Sequence, residues 1–123
     1  MKEKSENTES DKRRSPCPVA CCLDIMGDRW TLLIVRDLFL GKSRYKDFNS
    51  SPEGIPTNIL AERLERLAKH DIIEQIPVSE GSKRMKYQLT AKGRALKSVI
   101  LAMKKWGLEW EEDTEVHISR TTG

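Results

Sequence analysis

The 123-residue chain lacks most of what would make it a membrane protein, a secreted protein or an enzyme. No run approaches the roughly 20 apolar residues of a membrane-spanning helix. Its first stretch, MKEKSENTESDKRRSP, is polar and has none of the apolar core of a secretion signal. Residues 1–14 therefore read as a disordered arm, and the chain as cytoplasmic. There are only three cysteines, Cys17, Cys21 and Cys22, crowded onto what reads as one helix, where neighbours cannot staple a fold. Their C-x-x-x-C-C spacing does not match the usual zinc patterns, and His70 and His117 read as distant surface residues, so no metal is expected. A thiol enzyme or redox carrier would need a nucleophile beside a base, or a C-x-x-C pair at a strand–helix turn. Neither is present, and there is no glycine-rich phosphate loop. The chain reads as a non-enzyme without a cofactor.

What is there is a mild and uneven charge. Twenty-two basic against 19 acidic residues leave +3, which permits a nucleic-acid partner without demanding one. From Arg36 to Arg94 there are 12 Lys/Arg and 8 Asp/Glu, whereas from Glu109 onward five acids face one Arg. A basic centre with an acidic end suits a DNA-facing middle whose terminus points elsewhere. The length allows one domain, placed at 15–112, with a tail at 113–123.

Within that domain the periodicities are mostly helical. CPVACCLDIMG reads as a short helix, with Cys17 at the N-cap, Pro18 at the first helical position and Gly27 as a stop. DRWTLLIVRDLFLG is apolar on nearly every side, which predicts a buried central helix ended by Gly41. KSRYKDFNSS has Ser43 as an N-cap, with Tyr45 and Phe48 spaced to bury together. After PEG and Pro56 comes TNILAERLERLAK, with Leu60, Leu64 and Leu67 on one stripe. Two alternating runs follow: Ile72, Ile76 and Val78 share one side of the first, and Met85, Tyr87 and Leu89 one side of the second. The basic, glycine-containing SEGSKR between them predicts a β-hairpin, and Pro77 makes its first strand an edge. Thr90 is placed to cap one long last helix whose apolar face carries Leu96, Val99, Ile100, Met103, Trp106 and Trp110.

This order predicts a mainly α fold with a β-hairpin wing (α+β): a winged helix-turn-helix flanked by N- and C-terminal dimerisation helices. In such a module the second helix of the pair enters the major groove and its first turn meets the base edges. Asn58 suits adenine N6/N7, Thr57 a hydrogen bond or a thymine methyl, and Ala61 another methyl. Arg63 lies on the same helix. Lys42, Ser43 and Arg44 stand at another helix start, where free N–H groups favour phosphate, and Lys83, Arg84 and Lys86 would lie against the flanking backbone or minor groove. Each has a plainer reading. Thr57 and Asn58 can be mere helix caps, and loop basics can simply solubilise a turn. Glu62 and Glu65 share the outward face with Asn58 and would repel phosphate. They either accept from cytosine amino groups or pair with Arg66 and Lys69.

The series CPVACCLDIMGDRWTLLIVRDLFLG, RYKDF, GIPTNILAERLERL, DII and YQLTAKGRAL resembles the HxlR family of bacterial transcriptional regulators, winged-helix proteins related to the MarR group. The resemblance covers about residues 17–107, in family order and spacing. It implies a homodimer on palindromic double-stranded operator DNA, with Thr57 and Asn58 at the recognition-helix start, Arg44 at the preceding helix start and Lys83–Lys86 in the wing. Independently, Met103, Trp106 and Trp110 extend the last apolar face beyond what a small core covers. With Val99, and with Val19 and Leu23 of the first helix, they read as a dimer interface. That would hold two recognition helices about 34 Å apart.

Some family members carry a sensing cysteine at the CP position, held here by Cys17. A helix N-terminus stabilises a thiolate, and Arg13 and Arg14 are close in sequence. Cys21 lies one turn on, and Cys22 reads as a small core residue. No particular small-molecule effector is indicated. The competing readings are a winged-helix module used only for protein–protein contact, which would want a neutral or acidic recognition surface, and a thiol-based redox protein.

Overall fold

The computed structural model describes residues 13–115. All but the last two residues of the predicted arm and all but the first three of the predicted tail, His117 included, lie outside that range. The elements come in the expected order as far as the hairpin, with two helices after it where one was expected: α1 (Pro18–Met26), α2 (Thr31–Phe39), α3 (Tyr45–Asn49), α4 (Thr57–Lys69), β1 (Ile73–Pro77), β2 (Met85–Leu89), α5 (Ala91–Arg94) and α6 (Lys97–Trp110). The core joins them through Ile34 and Val35 of α2, Phe48 of α3, Ile55, Leu60, Leu64 and Leu67 in and before α4, and Ile72 and Ile73 at the base of the hairpin.

Helix α1 starts and stops as its sequence indicates, with Cys17 as N-cap, Pro18 next, and the Gly27 N–H on the Leu23 carbonyl at 2.8 Å. It buries no residue fully; only Ile25 and Met26 at its end pack on the core. Cys22, expected in the core, is exposed for that reason. Helix α2 is likewise less enclosed than its composition predicts. Ile34 and Val35 are buried, but Leu32, Leu33 and Phe39 are only half-covered. They line an open groove of about 400 Å³ between α2 and α6.

The cap of α3 falls one residue later than expected, on Arg44 in place of Ser43. Asp47 decides this by accepting the Arg44 N–H at 3.0 Å and, more weakly, the Ser43 N–H at 3.4 Å. The Ser43 carbonyl in turn accepts the Tyr87 N–H at 2.8 Å, tying the α2–α3 connection to the outer edge of β2. Strands β1 and β2 are antiparallel, with Ile73 opposite Leu89, Gln75 opposite Tyr87 and Pro77 opposite Met85. Pro77 does end an edge strand. Ile72, however, precedes the strand, and both it and Ile73 are buried. The chain turns at Asp71 with φ +63°, so that the Ile72 N–H still bonds the Leu67 carbonyl of α4 at 2.9 Å. Strand pairing begins only afterwards, with Ile73 opposite Leu89.

The single long last helix is two. Thr90 caps α5 as expected, accepting the Gly93 N–H at 3.1 Å, and the chain then breaks at Ala95–Leu96 before α6. Gly93 is needed there, because a Cβ would collide with the Ile72 carbonyl. The break turns Leu96 and Ile100 onto the core and leaves the rest of the apolar stripe outside.

Candidate nucleic-acid interface

The first turn of α4 settles what its polar residues are not doing. Pro56 occupies the N-cap, and no side chain caps the helix. Thr57 and Asn58 are the first two helical residues, both exposed, so the cap reading fails. Tyr45 on α3 donates its hydroxyl to the Thr57 carbonyl at 2.8 Å, fixing the start of α4 against the preceding helix. With Leu60, Leu64 and Leu67 turned inward, helical geometry brings Thr57, Asn58, Ala61, Glu62 and Glu65 together on the outward face, all exposed.

Two predicted DNA residues face inward. The Arg63 guanidinium donates to Asp28 at 2.8 Å and contacts the neighbouring Glu62. Asp28 also accepts the Trp30 and Thr31 N–H groups at 3.0 and 3.1 Å and the Thr31 hydroxyl, so it caps α2 and clamps that end to the middle of α4. Burial pushes the Asp28 carboxyl up, but the bonds from Thr31, Arg63 and the Trp30 amide outweigh it. They hold the group well below the usual carboxylate range. The Lys42 ammonium donates to Ser51 at 2.7 Å and lies 3.9 Å from Asp37. Asp37, only 2% exposed, also accepts the Ser51 hydroxyl and two N–H groups of Arg36. Arg36 then forks onto Glu53 at 2.8 and 2.9 Å, and this bond keeps the Glu53 carboxyl below its ordinary value. The network ties the end of α2 to the loop before α4.

Sequence reasoning missed both clamps. Asp28, three residues before Thr31, was findable as a helix-start acid. Asp37 and Ser51, 14 positions apart, carry no local signal.

Ser43 and Arg44 are half-buried at the start of α3, and on the hairpin Lys83 and Arg84 are exposed while Lys86 is half-buried opposite Ile76. The loop holds its shape through Gly81 at φ +77°, the Val78 N–H on the Arg84 carbonyl at 2.8 Å and the Arg84 N–H on Ser82 Oγ at 3.0 Å.

All three cysteines are free thiols. The two arginines expected near Cys17 go elsewhere: Arg13 donates to Cys21 Sγ at 3.0 Å and Arg14 pairs with Asp24 at 2.6 Å. Cys17 is exposed at the N-cap of α1, its N–H on Ser15 Oγ. On the same side of the question of assembly, Val19, Leu23, Val99, Met103, Trp106 and Trp110 are all exposed, the two tryptophans by 59% and 64%.

A short helix and a longer one joined by a turn, packed on α2 and followed by a two-stranded wing, define a winged helix-turn-helix. The chain belongs to the HxlR family: the family model described as HxlR-like helix-turn-helix matches residues 25–115. An HTH-type transcriptional regulator of Synechocystis sp. is 35% identical over 107 residues, 87% of this chain and 79% of that one. Among solved structures, PA1607 is similar with TM-score 0.75 and 40% identity, over 84% of this chain and 73% of that one. The reduced form of the transcriptional regulator YodB from Bacillus subtilis is similar with TM-score 0.67 and 31% identity, over 82% of this chain and all of that one. The redox regulator HypR, solved in reduced and oxidised forms, aligns at TM-score 0.68 and 28% identity in each. The protein is therefore a helix-turn-helix transcriptional regulator, from a family of regulators and not of enzymes. Among the described residues no helix is long and apolar enough to cross a membrane.

Proposed function

We propose that the chain binds palindromic double-stranded DNA as a homodimer, in the cytoplasm, with residues 15–112 as the working unit. The observation that carries this is the start of α4, where Thr57 and Asn58 are exposed and neither is used as a cap. A small hydroxyl and a carboxamide at that turn, followed by Ala61, suit base edges in the major groove. Ser43 and Arg44 supply phosphate contacts from the start of α3, and Lys83, Arg84 and Lys86 from the wing. Arg63 acts from behind, holding α4 against the start of α2, and Lys42 ties the end of α2 to the loop after α3. The second copy covers the apolar face of α1 and α6, together with the groove that continues it.

The test is fluorescence anisotropy with labelled duplex from the gene's own upstream region against scrambled duplex, across about 50–200 mM salt. Tight, sequence-dependent binding that weakens steeply with salt is expected. Equal weak binding to both duplexes would remove operator recognition, and no binding at low salt would leave a protein-contact module.

A thiol response is the regulatory part of the proposal. It is supported by the exposed Cys17 at a helix N-cap within the proposed interface and by the redox-named relatives. Diamide is expected to weaken DNA binding several-fold in the wild type. A Cys17→Ser variant that responds to diamide as the wild type does would end that part.

A further inference from the structure

We infer that Glu65 is a specificity-determining residue, its carboxylate accepting a hydrogen bond from the exocyclic amino group of a cytosine in the major groove. The inference rests on the DNA-binding reading above.

The outward face of α4 carries two carboxylates, and the structure separates them. Glu62 lies between two guanidinium groups: it contacts Arg63, and Arg66 Nε stands 3.7 Å away. Arg66 is itself anchored to the Ile25 carbonyl at 3.3 Å, so the charge of Glu62 is compensated within the protein. Glu65 is exposed, and its side chain has no hydrogen bond or ion pair with any described residue. Even Lys69, one turn further on, does not close on it.

Position gives that free carboxylate its reach. Glu65 follows Asn58 by seven residues, two helical turns on the same face and about 10 Å along the axis. Along the groove, that distance carries the side chain beyond the base pair met by Asn58 to another further on. Ala61, one turn before Glu65, is too small to hold the helix away from the groove floor. An uncompensated carboxylate entering a groove walled by phosphates is repelled unless it meets a donor. The major-groove donors are cytosine N4 and adenine N6. Adenine sets its N7 acceptor beside the amino group, which suits an amide and opposes a carboxylate. Cytosine presents the amino group without that neighbour, so it is the base this side chain fits.

The test passes full-length wild type, Glu65→Gln and Glu65→Ala through selection from a randomised duplex pool, followed by anisotropy on the enriched duplexes. Thermal unfolding checks that the exposed substitutions leave the fold intact. The wild-type motif is expected to hold a C·G pair in each half-site, at a position distinct from the one altered by Asn58→Ala. Glu65→Gln is expected to change that cytosine to adenine, the base a carboxamide reads in bidentate fashion. Glu65→Ala is expected to leave the position unselected, with discrimination there falling about tenfold and affinity for scrambled duplex rising as the repulsion is removed. A wild-type motif that both variants retain with unchanged discrimination would overturn the role of Glu65 while leaving the DNA-binding reading in place. A pool that yields no wild-type motif would overturn both.

Discussion

Asp28 shows how one side chain can serve two elements. By accepting the Trp30 and Thr31 amides it closes the start of α2, and by accepting from Arg63 it fixes where α4 lies. Replacing it with alanine removes a cap and an ion pair together, an expected loss of about 2 kcal/mol by urea denaturation at pH 7. Its carboxyl is depressed in the folded state, so the stabilisation is fully present above the ordinary aspartate range near 4. It is lost as pH falls through the lower folded value. The gap between wild type and Asp28→Ala should therefore narrow below about pH 4; a gap that is constant with pH would mean that the pair contributes nothing. Lys42 makes a similar point about charge. Its ammonium is turned onto Ser51 and Asp37, so it belongs to the support of α4 more than to its surface.

Helix α6 poses the largest energetic question. Leu96 and Ile100 face the core, yet Met103, Trp106, Leu108 and Trp110 stand open to water. A tryptophan with more than half of its surface exposed, as both of these are, leaves on the order of 1 kcal/mol of apolar burial unused, and a row of such residues needs a cover. In the proposed dimer, light scattering should give twice the 14.1 kDa chain mass. Trp106→Glu, which puts a charge into that cover, should return the chain mass itself and weaken DNA binding by far more than tenfold, because two half-sites would no longer be read together. A Trp106→Glu protein that stays dimeric would place the interface elsewhere. The contrast with α4 is instructive: there the buried stripe of Leu60, Leu64 and Leu67 is fully satisfied within one chain, and the outward face is polar.

Across the molecule, charge rather than shape separates contact from support. Lys83 and Arg84 project from the wing tip with their side chains exposed, while Lys42 is held between Ser51 and Asp37. Lys83→Ala, which removes one phosphate contact from each of the two proposed subunits, is expected to lower the slope of log affinity against log salt by about 2 and leave the urea midpoint unchanged. Lys42→Ala is expected to do the opposite, costing about 1 kcal/mol of stability with the slope preserved. Interchanged results would mean that the α2–α3 connection, and not the wing, carries the phosphate contacts. The acidic end at Glu109–Glu115 continues beyond α6, away from the basic centre in sequence.

Local chemistry alone determined the order of elements in this protein. Proline at a first helical position, glycine after a last one, a threonine before Ala91, and the change from helical to strand-like spacing after Lys69 are all short-range signals, the last of them one residue early at Ile72. Each acts through the backbone of its own neighbours. The resemblance of whole segments then carried the family. Three things depended on how elements meet. Helix α2, apolar on every side, is open along one of them, where Leu32, Leu33 and Phe39 line a groove shared with α6. Arg63 and Lys42, indistinguishable from DNA contacts by spacing, turn inward because Asp28 and the Asp37–Ser51 pair lie across the chain from them. Of the two carboxylate pairings that the spacing offered on α4, Arg66 stands by Glu62 because the Ile25 carbonyl of α1 holds its guanidinium, whereas Lys69 has no such anchor and leaves Glu65 open. A charge acquires its role from its partners, and partners 14 or 35 positions away leave no trace in a local pattern.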